Sequence, residues 1–274
     1  MRIMFWGTRG AITTPGPTKL AYGANTSCVT IADGDRMLIL DAGIGIIPLS
    51  ERLMATKKPQ DRLHLHLLLS HLHWDHVIGL PFFIPVFLPS TTLEIHGRCA
   101  EEIESATERL FTSTYSPIKG TKNLGATLVY RGVEPETSDI GGFAVTHSTL
   151  RHPSDSLAYR ISSGGQSVVY ATDHETGDEE RDKALIELAR GADVLIHDAQ
   201  WTVPEQLRFQ GFGHSSWKQA VDNGVAAGVK TLVLFHHHPH HNDIILDDIA
   251  DQAVAHAGDA IEVLVARDGM LIEP

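Results

Sequence analysis

The chain has 274 residues, 42% of them hydrophobic and 20% charged, and its formal net charge at pH 7 is −12. This length is enough to bury a substantial core in one large domain. The acidic excess disfavours nucleic acid and other polyanions as partners. Cys28 and Cys99 are the two cysteines of the chain, which argues against a disulfide framework.

No run of residues is apolar for long enough to suggest a membrane span. Residues 1–7 lead directly into a strand-like pattern and lack the layout of a signal peptide. We therefore expect a cytoplasmic protein that is not attached to a membrane.

Short β-branched and aromatic runs predict strands along the whole chain, and helical patterns separate the later ones. The predicted strands are residues 28–32, 37–40, 65–69, 93–96, 126–130, 143–146, 157–161, 167–171, 194–197, 231–235 and 261–266. The predicted helices are residues 47–55, 98–110, 178–190, 216–227 and 243–256. Residues 111–123 fit neither element and are interpreted as a loop near the mouth of a site. The pattern indicates two sheets covered by helices.

Three histidines and an aspartate follow the strand 65–69 within six residues, namely His71, His73, Asp75 and His76. Imidazole nitrogen and carboxylate oxygen suit a borderline divalent ion such as zinc. In an extended segment His71 and His73 point the same way, because side chains alternate with period two. Asp75 and His76 come after a turn and can face a second point. The spacing predicts two metal ions, and the apolar flanks argue against a histidine-rich surface loop.

The motif His-x-His-x-Asp-His after a hydrophobic strand resembles the metallo-β-lactamase superfamily of binuclear hydrolases. This resemblance extends over nearly the whole chain. It implies an α/β (α+β) fold, a four-layer αββα sandwich, with residues 1–274 forming one hydrolase domain. It also implies three further ligands at strand ends, which match His152, Asp173 and His236. His147 competes with His152 for the third histidine, and the downstream sequence favours His152.

The resemblance also implies a division of these ligands between two ions. One ion is assigned to His71, His73 and His152, and the other to Asp75, His76 and His236, with Asp173 bridging them. A hydroxide between the ions is the implied nucleophile, and Asp75 is counted among the catalytic residues as well. Zinc is the expected metal, although manganese or iron also suits such a donor set.

Asp41, at the end of the strand 37–40, is expected to support the metal site by orienting ligating imidazoles from behind. The alternative is an ordinary turn aspartate before Gly43. A tract of five histidines spans residues 236–241. Only the first matches the family pattern, and the others are expected to lie outside the ligand set or on the surface; they are His237, His238, His240 and His241.

Asp198 and His214 resemble the acidic motif and the His-Ser-Thr motif of the ribonuclease Z and phosphodiesterase branch. In that branch the two residues pair, and the histidine donates a proton to the leaving oxygen. A carboxylate beside an imidazole favours the charged, donating form, which makes this chemistry reasonable. The alternative is that His214 and Ser215 merely cap the helix 216–227, and the two interpretations are compatible.

The glycine turn at residues 7–10 and the segment 22–27 are similar to the same branch. They imply Arg9, Asn25 and Ser27 as contacts to a phosphate of the substrate. Arg9 could equally pair with a surface carboxylate.

Ribonuclease Z carries a long flexible arm for transfer RNA between its third histidine and its bridging aspartate. Here that interval contains only residues 153–172, most of them strand-like. We therefore expect a small or cyclic phosphodiester as substrate rather than a folded nucleic acid. The alternatives are hydrolysis of a lactone, thioester or other carboxylic ester on the same metals and, third, a non-catalytic metal-binding sensor or partner module. The physiological substrate and the oligomeric state, including a homodimer, are left open.

Overall fold

The computed structural model describes residues 1–58, 60–134 and 136–274, and in these ranges fourteen strands form two seven-stranded sheets. The first sheet contains β1 (Arg2–Gly7), β2 (Cys28–Asp33), β3 (Arg36–Leu40), β4 (Leu63–Leu68), β5 (Thr91–Gly97), β6 (Thr127–Gly132) and β14 (Leu271–Ile272). The second contains β7 (Ser138–Ile140), β8 (Phe143–Leu150), β9 (Ser156–Ser163), β10 (Gln166–Ala171), β11 (Val194–Asp198), β12 (Thr231–Phe235) and β13 (Glu262–Val265).

The α-helices of the described ranges are α1 (Ile46–Thr56), α2 (Trp74–Val77), α3 (Ala100–Leu110), α4 (Glu179–Ala189), α5 (Val203–Arg208), α6 (Trp217–Ala227) and α7 (Asp243–Ala257). Short 3₁₀ turns lie at Leu80–Phe82, Ile84–Phe87 and Thr121–Asn123. Among the helices described, none combines the length and the apolar character needed to cross a bilayer.

Both sheets combine antiparallel strands on one side with parallel strands on the other. The first has the order β14-β1-β2-β3-β4-β5-β6, and the second β13-β12-β11-β10-β9-β8-β7. In the first, β14 to β3 pair antiparallel and β3 to β6 pair parallel. In the second, β7 to β10 pair antiparallel and β10 to β13 pair parallel. Parallel neighbours bring their carboxyl ends to one edge, where open α/β sheets commonly bind ligands.

Three apolar cores separate four layers. Phe5 of the first sheet and Tyr170 and Phe235 of the second belong to the core between the sheets. Ile103 of α3 packs in the core on the outer face of the first sheet. Leu246 of α7 packs in the core on the outer face of the second sheet. The predicted αββα sandwich is confirmed.

The predicted elements agree with the structure to within two residues at each end, except at residues 143–146. The strand there continues as β8 to Leu150, so His147 lies inside the strand rather than after it. The start of α6 is a second correction. Ser216, not Ser215, is the N-cap, since its side chain accepts a hydrogen bond from Gln219 N in a capping box.

Candidate metal centre

The residues predicted to bind metal follow strands of both sheets and meet at one edge of the sandwich. The motif residues 71–76 follow β4, and Asp173 and His236 follow the parallel strands β10 and β12. Asp173 and His236 have φ values of 57° and 62°, and Asp41 after β3 has a φ of 60°. Left-handed backbone at non-glycine residues is costly and concentrates at functional sites. The chain therefore turns sharply at three strand ends to aim these side chains.

His71, His73 and His152 form the first group of side chains. Their ring centroids lie 4.5 to 4.9 Å apart, and His152 Nε2 is 3.1 Å from His73 Nδ1. His152 Nδ1 donates to Gly213 O at 2.9 Å, so its Nε2 carries the lone pair that faces the group. His71 Nε2 is buried without a hydrogen-bond partner. An orphaned imidazole nitrogen beside two others fits a bound cation.

Asp75, His76 and His236 form the second group. The two imidazole Nε2 atoms are 3.3 Å apart, and Asp75 Oδ2 lies 3.3 Å from His76 Nε2 and 3.1 Å from His236 Nε2. Ala11 N donates to the same Asp75 oxygen at 2.7 Å. Two imidazoles and a carboxylate are again a donor set that suits a divalent transition metal.

Asp173 lies between the two groups with one oxygen toward each. Its Oδ1 is 3.7 Å from both His71 Nε2 and His152 Nε2. Its Oδ2 is 3.2 Å from His76 Nε2 and 3.3 Å from His236 Nε2. The buried carboxylate can thus bridge two ions, and the residues present fit a binuclear centre.

The protonation of the two groups differs. Burial lowers the pKa of His71 well below its usual value and also lowers the pKa of His152, so both are neutral and can offer lone pairs. Burial also acts on His76 and His236, but the carboxylates of Asp75 and Asp173 raise the pKa of both imidazoles above the usual value. Binding of an ion to the second group must therefore release protons.

Asp41 is more than a turn residue. Its Oδ1 accepts from Ser70 N at 2.7 Å. Its Oδ2 accepts from Ser70 Oγ at 2.8 Å, from His76 Nδ1 at 2.7 Å and from Tyr170 OH at 2.8 Å. The carboxylate is fully buried between the sheets. It fixes the ring of His76 with Nε2 directed at the second group, as an outer partner of a metal ligand does.

Asp198 and His214 form a close pair beside the bridging carboxylate. His214 Nδ1 is 2.7 Å from Asp198 Oδ2, and the same oxygen accepts from Asp173 N at 3.1 Å. Asp198 is fully buried, whereas the side chain of His214 is 11% exposed. His214 Nδ1 lies 3.8 Å from Asp173 Oδ1. The imidazole is therefore held at the rim of the metal groups and keeps contact with solvent.

The three residues predicted to contact a substrate phosphate, Arg9, Asn25 and Ser27, are held by contacts within the protein or buried in it. Arg9 is fully buried, and its guanidinium donates to carbonyl oxygens of Gly23 at 3.0 Å, His238 at 3.1 Å and His241 at 2.6 Å. It pairs with no surface carboxylate among the described contacts. Asn25 Nδ2 donates to Trp6 O at 3.1 Å, and Ser27 is buried. The placement of these side chains supports a role in holding loops rather than a contact with substrate.

Of the five histidines after β12, only His236 belongs to the groups of the described residues that could hold a metal ion. His237 Nε2 donates to Ala266 O at 2.8 Å, and His241 Nε2 lies 3.0 Å from Glu205 Oε2. Both are buried, whereas His240 is exposed and His238 half-buried. Through these contacts His237 and His241 anchor the loop that carries His236.

Two features of the site were not found from the sequence. Gly213 accepts the hydrogen bond that orients His152, and a Cβ on Gly213 would come within 2.2 Å of His152 Nδ1. In the sequence, a glycine directly before His214 is the signal that could have revealed it, and its φ of 88° is a backbone conformation that favours glycine. Trp74, between two ligands, is 63% exposed and lines an apolar cavity of about 750 Å³ with Tyr115 and Pro117. The predicted loop 111–123 therefore lies beside the ligand-bearing segment.

Comparison with known proteins places this geometry in a family. The profile of the beta-lactamase superfamily domain matches residues 36–237. The chain is similar to an uncharacterised protein of Mycobacterium tuberculosis, with 28% identity over 86% of this chain and 80% of the relative. It is also similar to ribonuclease Z of Pseudomonas putida, with 26% identity over 99% of both chains.

Solved structures of the metallo-β-lactamase fold superimpose over the full length. YhfI of Bacillus subtilis gives a TM-score of 0.70 at 22% identity and covers 100% of this chain and 99% of its own. A diphosphatase from the PhnP family gives 0.70 at 15% identity over 100% and 97%. Zinc-bound PqqB of Methylobacterium extorquens gives 0.71 at 16% identity, with both chains fully covered. At these identities the likeness shows the fold.

Proposed function

We propose that this chain, which belongs to the beta-lactamase superfamily and is a metal-dependent hydrolase, hydrolyses a small or cyclic phosphodiester. The observation that carries this proposal is the hydrogen bond of 2.7 Å between His214 Nδ1 and Asp198 Oδ2 at the rim of the metal groups. An alkoxide leaving group needs a proton, and an imidazole held by a carboxylate is suited to deliver it.

We assign His71, His73 and His152 to one ion, Asp75, His76 and His236 to the other, and Asp173 to both. Two divalent ions, with zinc as the expected identity, would supply Lewis acidity at a phosphoryl oxygen and lower the pKa of coordinated water. In this assignment Asp75 contributes to catalysis as a ligand of the second ion.

Asp198 and His214 are positioned by hydrogen bonds within the chain. Asp198 Oδ2 accepts from His214 Nδ1, which leaves Nε2 as the nitrogen that can hold a proton for the leaving oxygen. Ser215 N and Gln200 N donate to the other oxygen of Asp198, at 3.2 and 3.1 Å. The carboxylate is thus fixed on both sides, and the imidazole keeps one orientation.

The preference for a small substrate rests on the chain between the third histidine and the bridging aspartate. The strands β9 and β10 form an antiparallel hairpin joined by the turn Gly164–Gly165, with φ values of 58° and 81°. The interval holds no extended arm for a folded RNA. The formal net charge of −12 also disfavours a large polyanion, because like charges repel. The relatives named ribonuclease Z and diphosphatase support chemistry at phosphorus.

An activity panel on the metal-reconstituted protein tests the proposal. It compares bis-p-nitrophenyl phosphate, cyclic nucleotides and precursor transfer RNA with lactones and thioesters. We expect turnover of the small phosphodiesters, with little activity on the acyl substrates or the RNA. Efficient lactone or thioester hydrolysis without phosphodiesterase activity would establish the acyl alternative. A protein that binds metal and turns over none of the substrates would favour a sensor or partner module.

A further inference from the structure

A second cluster of histidines lies at the amino-terminal end of β4, apart from the residues assigned to the catalytic metals. His64 and His66 alternate with Leu65 and therefore point to the same face of the strand. Glu94 of β5 pairs in register with His66. One ligand atom from each of these three polar side chains lies within 4.8 Å of the other two. His71 lies five positions after His66, which at about 3.3 Å per residue is a distance of roughly 16 Å along an extended chain.

The carboxylate of Glu94 is already oriented toward the histidines. Arg131 Nε donates to Oε2 at 2.7 Å, and His64 Nε2 donates to Oε1 at 2.8 Å. Burial raises the pKa of Glu94, but these hydrogen bonds outweigh it and lower the pKa to about 2. The group is therefore an anion throughout the neutral range, and its Oε1 faces the imidazoles.

His66 is held between the two sheets. Its Nδ1 lies 3.5 Å from Nε2 of the buried His96, which leaves Nε2 of His66 free of that contact. The turn between β7 and β8 covers the ring, since a Cβ on Gly141 would come within 2.8 Å of it. Burial lowers the pKa of His66, and lowers the pKa of His96 to about 4. Both rings are neutral near pH 7, as ligation requires.

We propose that His64, His66 and Glu94 bind a divalent transition-metal ion of their own, separate from the catalytic centre. Two imidazoles and one carboxylate are an established donor set for zinc, with water completing the shell. Nitrogen donors disfavour magnesium and calcium, which prefer oxygen. The ion would replace the hydrogen bond between His64 and Glu94, while Arg131 continues to orient the carboxylate as an outer partner.

The consequence of this ion would be structural. It would link β4 to β5, two neighbouring strands of the first sheet, beneath the turn between β7 and β8.

The test measures zinc per chain in the full-length protein by mass spectrometry, after equilibration at buffered free zinc and removal of unbound ions. His64→Ala and Glu94→Gln each remove one donor, and we expect each variant to bind one ion fewer than the wild type. Hydrolytic activity should stay near the wild-type value, because neither residue belongs to the catalytic machinery. His256→Ala is the matched control, since His256 Nε2 also bonds a carboxylate, Asp222 Oδ1 at 2.7 Å, without a second histidine.

The control should retain the wild-type zinc content. Thermal melting gives a second measurement, because an ion that binds only the folded chain raises its melting temperature. Zinc added beyond the catalytic equivalents should raise the melting temperature of the wild type but not of His64→Ala. Equal zinc content in the wild type and both variants would mean that His64 and Glu94 form only an ion pair. An equal loss in His256→Ala would mean that surface histidines bind zinc without selectivity.

Discussion

The choice between two histidines for the third ligand depends on a single strand boundary. His147 lies inside β8, where it pairs with Tyr159 and its Nε2 donates to Glu134 O at 2.9 Å. His152 lies two residues beyond the strand and faces His71 and His73. A residue within the ladder cannot reach the sheet edge where the ligands meet, whereas a residue beyond it can.

We expect His152→Ala to lose about one of the two catalytic ions and nearly all hydrolytic activity, because it removes a donor from the first group. His147→Ala should retain both ions and the activity, since His147 belongs to none of the groups of the described residues that could hold a metal ion and its Nε2 bonds a backbone carbonyl. Metal analysis of the two purified variants, with activity measured at saturating zinc, makes the comparison. Metal loss in His147→Ala with retention in His152→Ala would reverse the assignment.

The acid role of His214 predicts a dependence on the leaving group. An alkoxide needs a proton, whereas p-nitrophenolate leaves without one, so His214→Ala should slow an alkyl phosphodiester by ~10²–10⁴ and an activated nitrophenyl ester far less. Asp198→Asn should show a milder form of the same contrast, because it only orients the imidazole. Rates on both substrates and the metal content of each variant are the measurements.

Equal losses on both substrates with metals retained would indicate that His214 positions the substrate instead. Loss of metal would make His214 a ligand, a role that its proximity to Asp173, Asp198 and His236 allows in geometry. The metal measurement therefore separates a proton donor from a ligand, and the substrate contrast separates a donor from a positioning group.

At the scale of elements, the loop after β1 depends on a carboxylate from the far end of the chain. Asp268 Oδ2 accepts from Ala24 N and Asn25 N, each at 3.1 Å, and Thr8 Oγ1 donates to its Oδ1 at 3.3 Å. Burial raises the pKa of Asp268 to about 6 despite these bonds. The folded protein therefore retains a proton on Asp268 in a range where the unfolded chain has already lost it.

This raised pKa predicts a loss of stability as the pH increases from about 4 to about 6, because the unfolded state then binds fewer protons than the folded one. The loss should be at most about 3 kcal/mol, from roughly two pKa units. Asp268→Asn keeps the shape and most of the hydrogen bonds but has no proton to titrate. Urea unfolding of the wild type and the variant, both with chelator present, gives the difference in free energy at each pH. A difference that stays constant across this range would contradict the shift.

The length of an element decides whether it could be predicted from the sequence. Central strands were found because β-branched residues recur in runs of the right length, as at Thr231–Phe235. The edge strands β7 and β14 have three and two residues, too few for a period to be visible. The ligands themselves were indicated by a short motif and by strand ends. The hydrogen bond from Tyr170 OH to Asp41 joins residues 129 apart, and no local pattern encodes such a contact.

At the scale of the whole molecule, the metal centre lies where the two sheets meet. The first sheet contributes the ligands that follow β4, and the second contributes His152, Asp173 and His236. Four aspartates are buried in this region, namely Asp41, Asp75, Asp173 and Asp198. Buried carboxylates are tolerated when they are paired or coordinate a cation. Bound ions would therefore neutralise the centre and hold the two sheets together.

Removal of the ions should consequently destabilise the entire sandwich rather than one loop. We expect a chelator to lower the melting temperature of the reconstituted wild type, because ions that bind only the folded state stabilise it by mass action. Asp173→Ala removes the carboxylate that faces both groups, so it should bind fewer ions, lose nearly all activity and respond to chelator much less. Calorimetry of both proteins, each with saturating zinc and then with chelator, measures the response. A wild type that binds a single ion at saturation, or that melts at the same temperature with and without chelator, would contradict a binuclear centre that joins the two sheets.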